Sequence, residues 1–531
     1  MCGIFAVLEK NPLTYSKLKD AGMVSQHRGP DNTSHTMNIS DNISFFLMFH
    51  RLSINGLTPS GNQPMILNRY PNITLMANGE IYNYKQLAEK YNFELTTGSD
   101  CEIIIHLYNK LGIDECIKQL DGVFAFVIID NSQNLFVIGH DPIGIRELYW
   151  STNNNGIYVG SELKNLSNIT ENIELFPPGT YCIYDIENDT YITKKYYNLD
   201  FKPLYNNDIM IINTIKEKLF NSVNKRLLSD REIGCLLSGG IDSSIITLIT
   251  SQIIGPNKLR TFSIGLDGSP DLIAAKKVAK HLGTNHTEVV VTEQELLDAI
   301  PDTIKQIETY DITTVRASTP MFLLSKYIKE NTEITVILSG EGADEASGSY
   351  LYFHKAPSPL AFQEECLRLI KDVQHFDVLR GDKTTAGSSL EIRVPFFDKE
   401  FINFYMSINP NKKIPRDGYE KYLLRKSYED ELPHEIIWRR KEGFSDGVSS
   451  KKKSWYVIIN EYVKDKIADM RFDYDYLPPP SDEAAWYRSL FEEYYPGHEK
   501  IVPYYWQPKW INTNNNNPSG RLLMNELNGE D

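Results

Sequence analysis

Near residue 205 the apolar residues of this chain change their spacing, and that change limits the fold more than any single motif. Upstream, short apolar runs at residues 45–49, 73–76, 123–130, 135–140 and 157–160 are separated by turns rich in Gly, Asn and Pro, and they predict strands. Ile103, Ile104, Leu107 and Leu111 recur at helical spacing and predict a helix over residues 101–110. Many short strands with few helices describe packed sheets rather than a βαβ sheet. Downstream of Lys202-Pro203, helices expected over residues 209–228, 242–253 and 272–282 alternate with strands at 233–237, 260–264 and 287–291. A further apolar strand is expected at 334–338. This alternation predicts an α/β domain on a mostly parallel sheet with both faces covered. The 531 residues also exceed the roughly 300 that one core usually holds. The expected organisation is an α+β domain over residues 1–205, an α/β domain over 206–511, and a polar, disordered tail over 512–531 that opens with an Asn-rich run.

A formal charge of −15 and a pI near 5.3 argue against a nucleic-acid partner, while leaving room for a local basic pocket. Apolar runs such as residues 123–129 fall far short of the ~20 residues a membrane span requires. Glu9, Lys10, Lys17 and Lys19 follow the start too closely for a signal peptide. Six cysteines without a CxxC pair fit a reducing compartment, and so a soluble cytoplasmic protein. No zinc-ligand spacing is present, and His27, His50 and His106 are read as structural.

The chain opens Met1-Cys2-Gly3-Ile4. An initiator Met ahead of a small residue is normally removed, which would leave Cys2 with a thiol and an α-amine on one residue. That amine has a reference pKa of about 7.7–8.0, so it can act as base for its own thiol. Taken alone, Cys2 reads first as an ordinary processed terminus. Three polar constellations shift the balance: Arg28-Gly29-Pro30-Asp31, then His50-Arg51-Leu52-Ser53-Ile54, then Asn78-Gly79-Glu80-Ile81-Tyr82-Asn83 with Gly98-Ser99-Asp100. An Arg at a strand end can clamp a carboxylate, an Asn amide with a following N–H can hold an oxyanion, and an acidic pair can hold an ammonium group. Together they describe a pocket for a free amino acid with an acyl side chain.

These motifs, with Leu120-Asp121-Gly122-Val123-Phe124-Ala125-Phe126, resemble the class II glutamine amidotransferases and, more closely, the glutamine-hydrolysing asparagine synthetases. The resemblance implies an N-terminal-nucleophile domain, a sandwich of two antiparallel sheets between helix layers. It implies that Cys2 attacks the glutamine amide to form a glutamyl thioester, with Asn78 and Gly79 as the oxyanion hole. It assigns glutamine binding to Arg51, Leu52, Ser53, Ile54, Asn55, Asn78, Gly79, Glu80 and Asp100, with Arg51 on the carboxylate and Glu80 and Asp100 near the ammonium.

Leu236-Leu237-Ser238-Gly239-Gly240-Ile241-Asp242-Ser243-Ser244 follows an apolar strand and opens a helix. Small residues there let backbone N–H groups approach an anion, and the helix start adds positive partial charge. The loop is neither GxxxxGK[ST] nor GxGxxG; a plain Gly-Gly turn with Ser and Asp caps is its structural alternative. Ser-Gly-Gly-x-Asp-Ser resembles the signature of the ATP pyrophosphatases, which implies cleavage between the α and β phosphates. A second loop, Ser339-Gly340-Glu341-Gly342-Ala343-Asp344-Glu345, also follows an apolar strand. By the resemblance, Leu237, Ser238, Gly239, Gly240, Asp242, Ser243, Ile264, Ser339 and Gly340 bind ATP. Asp242 and Asp344 are the expected Mg²⁺ ligands, and the resemblance also links Glu341 to acyl-adenylate formation and puts Lys441 near the ATP phosphates.

Further matches run through Glu308-Thr309-Tyr310-Asp311, Arg316 to Met321, Leu390 to Phe396, Trp438 to Glu442 and Phe444 to Gly447. Two departures are Glu147, where the family usually has proline, and Gly387-Ser388-Ser389. The resemblance implies synthesis of L-asparagine from L-aspartate, L-glutamine and ATP in a homodimer, with no nucleic-acid or membrane partner. A synthetase for another carboxylate, or a non-catalytic sensor of glutamine and ATP, are the competing classes.

Overall fold

All seven residues of Gly3–Glu9 (β1) are buried, which a strand achieves only with cover on both faces. The computed structural model supplies that cover. It describes residues 1–39, 43–200, 202–450, 453–468 and 474–510, so the expected tail at 512–531 lies outside the described residues. Around β1 a six-stranded antiparallel sheet runs β10-β8-β9-β1-β3-β2, built from Asn32–Asn38 (β2), Ser44–Arg51 (β3), Tyr149–Asn153 (β8), Gly156–Gly160 (β9) and Glu174–Leu175 (β10). A second runs β12-β11-β7-β6-β5-β4, from Met65–Leu67 (β4), Tyr70–Ile81 (β5), Gly122–Asp130 (β6), Leu135–His140 (β7), Thr180–Asp185 (β11) and Thr190–Lys195 (β12). Ile4, Ala6, Leu47 and Phe49 of the first sheet pack on Met76, Val127, Ile129 and Ile138 of the second in one core. The far face of the second sheet, through Leu75, Phe126 and Ile128, packs on Tyr84–Tyr91 (α2) and Glu102–Gln119 (α3). Tyr15–Met23 (α1) lies on the first sheet, where Gly22 leaves room for Met48 and Phe5. The layers are therefore helix, sheet, sheet, helix. Of the helix expected over residues 101–110, residues 102–110 fall in α3, Cys101 is its N-cap, and Gly112 breaks it with φ 72°.

This first unit comprises Met1–Asn198 with Leu228–Arg231 and Ala386–Glu391. The second comprises Leu199–Leu227, Glu232–Thr385 and Ile392–Asp531. Its sheet has the order β15-β14-β13-β16-β17, from Ile233–Leu236 (β13), Arg260–Leu266 (β14), Asn285–Val291 (β15), Val336–Leu338 (β16) and Glu391–Arg393 (β17). The β13, β14, β15 and β16 pairings are parallel. Asp208–Lys225 (α4), Ile241–Ile254 (α5), Pro270–Leu282 (α6), Glu293–Ile307 (α7) and Ile312–Asn331 (α8) surround it. Asp311 caps α8 by accepting from Thr314 N at 2.9 Å, which gives one of the quoted family matches a structural duty.

Candidate active sites

In the first unit, Gly3 of β1 pairs with His50 of β3, so Cys2, just before β1, meets Leu52, just after β3. Leu52 N donates to Cys2 Sγ at 3.4 Å, and Sγ donates to Leu52 O at 3.6 Å. From β5 in the facing sheet, Asn78 Oδ1 accepts from Cys2 N at 2.9 Å. Arg28 Nε donates to Cys2 O at 2.8 Å. Burial pushes the Cys2 thiol up, although the Met1 ammonium and the Leu52 N–H oppose it. While Met1 is attached, Cys2 N is a peptide nitrogen with no basic lone pair. Once it is an amine it has both Asn78 and its own thiol within reach.

Asn78 Nδ2 is buried and has no hydrogen-bond partner among the described residues. Gly79 has φ +149°, and a Cβ there would lie 2.0 Å from Val123 O, so only glycine lets β5 pass β6 this closely. Arg51 Nη1 donates to Thr58 O at 2.7 Å and Asn62 Oδ1 at 2.9 Å, and Nη2 donates to Gly56 O. The loop after β3 is fastened by Ser53 N to Asp31 Oδ2 at 2.8 Å and by Asp230 N to Ile54 O at 2.9 Å. Asn55 Nδ2 donates to Glu80 Oε2, and Ile81 N donates to Asp100 Oδ2 at 2.6 Å. Burial, then Asp100, Asp230 and Glu80, push the Tyr84 hydroxyl up, so Glu80 and Asp100 act on one locality. His50 is held between Gly22 O and Thr33 Oγ1, at 2.9 Å each, and is structural.

In the second unit, residues 237–240 turn from β13 into α5. Gly239 takes φ +72° and presses on α6, where a Cβ would lie 2.4 Å from Ala274 and Ala275 backbone. Ser238 N donates to Ser243 Oγ at 3.2 Å, Gly240 N to Ser238 Oγ at 3.3 Å, and Ser244 Oγ to Gly240 O at 2.7 Å. These bonds shape a loop that opens on the helix N-terminus. Leu237, Ser238, Gly240, Asp242, Ser243, Ile264, Ser339, Gly340, Glu341, Asp344 and Lys441 all line one cavity of about 260 Å³. Gly239 alone of the residues expected at ATP is not in its wall.

Two lysines tie the two loops together. Lys421 Nζ donates to Asp242 Oδ2 and to Asp344 Oδ1, each at 2.5 Å, and Lys441 Nζ donates to Asp344 Oδ2 at 2.5 Å. Burial pushes the Asp344 carboxyl up, but the two ammonium groups outweigh it and hold it well below the carboxylate range. Burial pushes Lys441 down, and Asp344 and Asp242 more than restore it. Asp242 Oδ1 is buried without a hydrogen-bond partner among the described residues. Glu341 is paired with Arg380, whose Nη1 donates to Oε1 at 3.1 Å and Nη2 to Oε2, yet burial still leaves its carboxyl raised. Arg380 also donates to Asp377 at 2.6 Å. Lys421, Arg380 and Asp377 were not singled out from the sequence. They lie dozens of residues from either glycine loop, and nothing in their spacing distinguishes them.

The family model described as a glutamine amidotransferase domain matches residues 1–176. The one described as asparagine synthase matches residues 214–362 and 357–515. A Gallus gallus protein named asparagine synthetase [glutamine-hydrolyzing] is 40% identical over 98% of each chain, and its Homo sapiens counterpart is 42% identical over the same shares. This chain belongs to the glutamine-hydrolysing asparagine synthetases. In this synthetase the amidotransferase match lies within the first unit and the synthase match covers most of the second. Of the two departures from the family pattern, Glu147 is an interior position, and Ser389 donates through Oγ to His27 O at 2.6 Å. No helix among the described residues is long and apolar enough to cross a membrane.

Proposed function

We propose that this chain makes L-asparagine from L-aspartate, using ATP and the side-chain nitrogen of L-glutamine. Full-length similarity to curated synthetases, across both units, carries the reading. In the first unit, with Met1 removed, the Cys2 α-amine takes the thiol proton and Sγ attacks the glutamine amide carbon. Asn78 Nδ2, a buried donor without a partner among the described residues, and the Gly79 N–H stabilise the oxyanion. Ammonia leaves with the returned proton, and water releases glutamate from the glutamyl thioester. Arg51 holds the substrate carboxylate, Glu80 and Asp100 hold its ammonium, and Leu52, Ser53, Ile54 and Asn55 shape the wall.

In the second unit the β-carboxylate of aspartate attacks the α-phosphorus of ATP, giving β-aspartyl-AMP and diphosphate. Ammonia then displaces AMP. The N–H groups of residues 238–240, with Ser243, Ser339 and Gly340, receive the phosphates, and Leu237 and Ile264 flank the base. Asp242 and Asp344 suit Mg²⁺, a hard cation bound through one or two carboxylates plus substrate phosphates. Asp242 Oδ1, buried with no hydrogen-bond partner among the described residues, supports that fit. Bound there, the ion would neutralise charge on the phosphate oxygens. Lys441 supplies a fixed positive charge to the same oxygens, and Glu341 orders the carboxylate end through its pair with Arg380. The protein acts in the cytoplasm as a homodimer. A reconstituted assay following asparagine, glutamate, AMP and diphosphate together tests this. Aspartate-dependent, equimolar asparagine, AMP and diphosphate are expected; a preference for another acceptor, or binding without diphosphate release, sinks the reading.

A further inference from the structure

Lys441 lies in residues 439–443, a stretch with no regular secondary structure. A lysine on such a loop is useful to a phosphate site only if the loop is fixed, because its own stem has four rotatable carbons. The fixing contacts converge on one carboxylate outside the two glycine loops. Asp271, in the first turn of α6, is 5% exposed and accepts from Arg439 Nη2 at 2.9 Å. The one-turn helix Phe444–Gly447 rests on the same group, since a Cβ at Gly447 would come within 2.3 Å of Asp271 Oδ2. Just beyond, Leu266 N at the end of β14 donates to Val448 O at 2.8 Å. Both ends of the Lys441 loop are thus tied to the corner between β14 and α6, and Lys441 reaches Asp344 from between them.

We propose that the Asp271–Arg439 ion pair is the latch that holds residues 439–447, making Asp271 a positioning residue for Lys441 in adenylation. The proposal rests on the role given to Lys441 above. Burial of an anion is unfavourable unless it is paired, and a loop anchored only by packing would not need one here. The charged groups facing Asp271 are Arg439, Lys441 and Glu442. Burial lifts its carboxyl to about 6, with Arg439 opposing. The sign follows: above about 6 the carboxylate is ionised and the latch holds, and as pH falls through about 6 it is protonated and Arg439 loses its charged tie to α6, keeping only Glu442 of its own loop at 3.0 Å.

Aspartate-dependent exchange of labelled diphosphate into ATP measures the step. Asp271→Asn and Arg439→Gln are each expected to lower the maximal exchange rate about tenfold, with the KM for ATP moved less than about twofold. The double variant should be no slower than either single, as expected for two members of one contact. Arg439→Lys should recover part of the rate. Wild-type exchange should fall through pH 6, and Asp271→Asn should lose that step. Additive losses, wild-type rates in the singles, or a raised KM with unchanged maximal rate would each overturn the latch, the last by making Asp271 a direct nucleotide contact. Should Asp271→Asn unfold on thermal melting, the Arg439→Gln and Arg439→Lys pair carries the same test. Absence of exchange in the wild type would instead refute the site reading beneath it.

Discussion

Asn78 is held by one end only: its Oδ1 accepts from Cys2 N, while Nδ2 is buried with no partner among the described residues. An unmet buried donor costs about 1–3 kcal/mol, a cost that is relieved when an oxyanion forms beside it. Asn78→Ala should therefore lower glutaminase kcat roughly 10²–10³-fold, the usual effect of losing one such donor. Glutamate release measures this, and a loss under about tenfold would remove Asn78 from the oxyanion role. Cys2→Ala should abolish glutamate release and glutamine-dependent synthesis together, while synthesis from ammonium chloride persists. The remaining cysteines cannot take over. Burial pushes the Cys101 and Cys116 thiols far up, Cys235 and Cys366 up to about 12, and Cys182 up to about 11, and none carries an α-amine.

At the scale of elements, the first turn of α3 does more than start a helix. Glu102 accepts from Thr96 N at 2.9 Å, Thr97 N at 2.7 Å and His106 Nε2 at 3.2 Å, which fixes the approach to Asp100. Burial alone would raise its carboxyl, but these bonds bring it down to about 2 from 4.5. Its stabilisation is therefore complete above about 4.5 and is lost as pH falls toward 2. Glu102→Ala should cost about 3 kcal/mol of first-unit stability and raise the KM for glutamine, read by thermal unfolding and initial rates; an unchanged KM would show that Asp100 needs no such support. The predicted strands inside β3, β5, β6, β7 and β9 were legible because short apolar runs ended in turn residues. β1 is as fully buried as β9 but was harder to single out, since it follows Cys2 directly and no turn-rich segment precedes it to mark its start. The loop before α5 was legible because its chemistry is local, in consecutive small residues. Lys421, Asp271 and Arg380 reach their places only through tertiary folding, and no local pattern announces them.

On the scale of the whole molecule, the two sites should fail separately. Asp242→Asn or Asp344→Asn should reduce diphosphate exchange roughly a hundredfold or more, the size expected for lost charge stabilisation at phosphate, while glutamine hydrolysis continues. Normal exchange across a Mg²⁺ series would take these residues out of the metal proposal. Lys441→Ala should stop synthesis from glutamine and ammonia alike, because its charge acts before nitrogen arrives; wild-type AMP formation would refute that role. Met1, meanwhile, is 1% exposed, and its amine, pushed down to about 5 by burial, donates to Leu390 O at 3.2 Å. A peptidase cannot reach a terminus enclosed in this way, so the trimming proposed above would have to act on the nascent chain, ahead of folding. Each molecule then carries a permanent record of which event came first. The fraction retaining Met1, read by intact mass, should set a ceiling on glutaminase activity per mole that no later peptidase treatment of the folded protein raises, whereas diphosphate exchange should be the same in both populations.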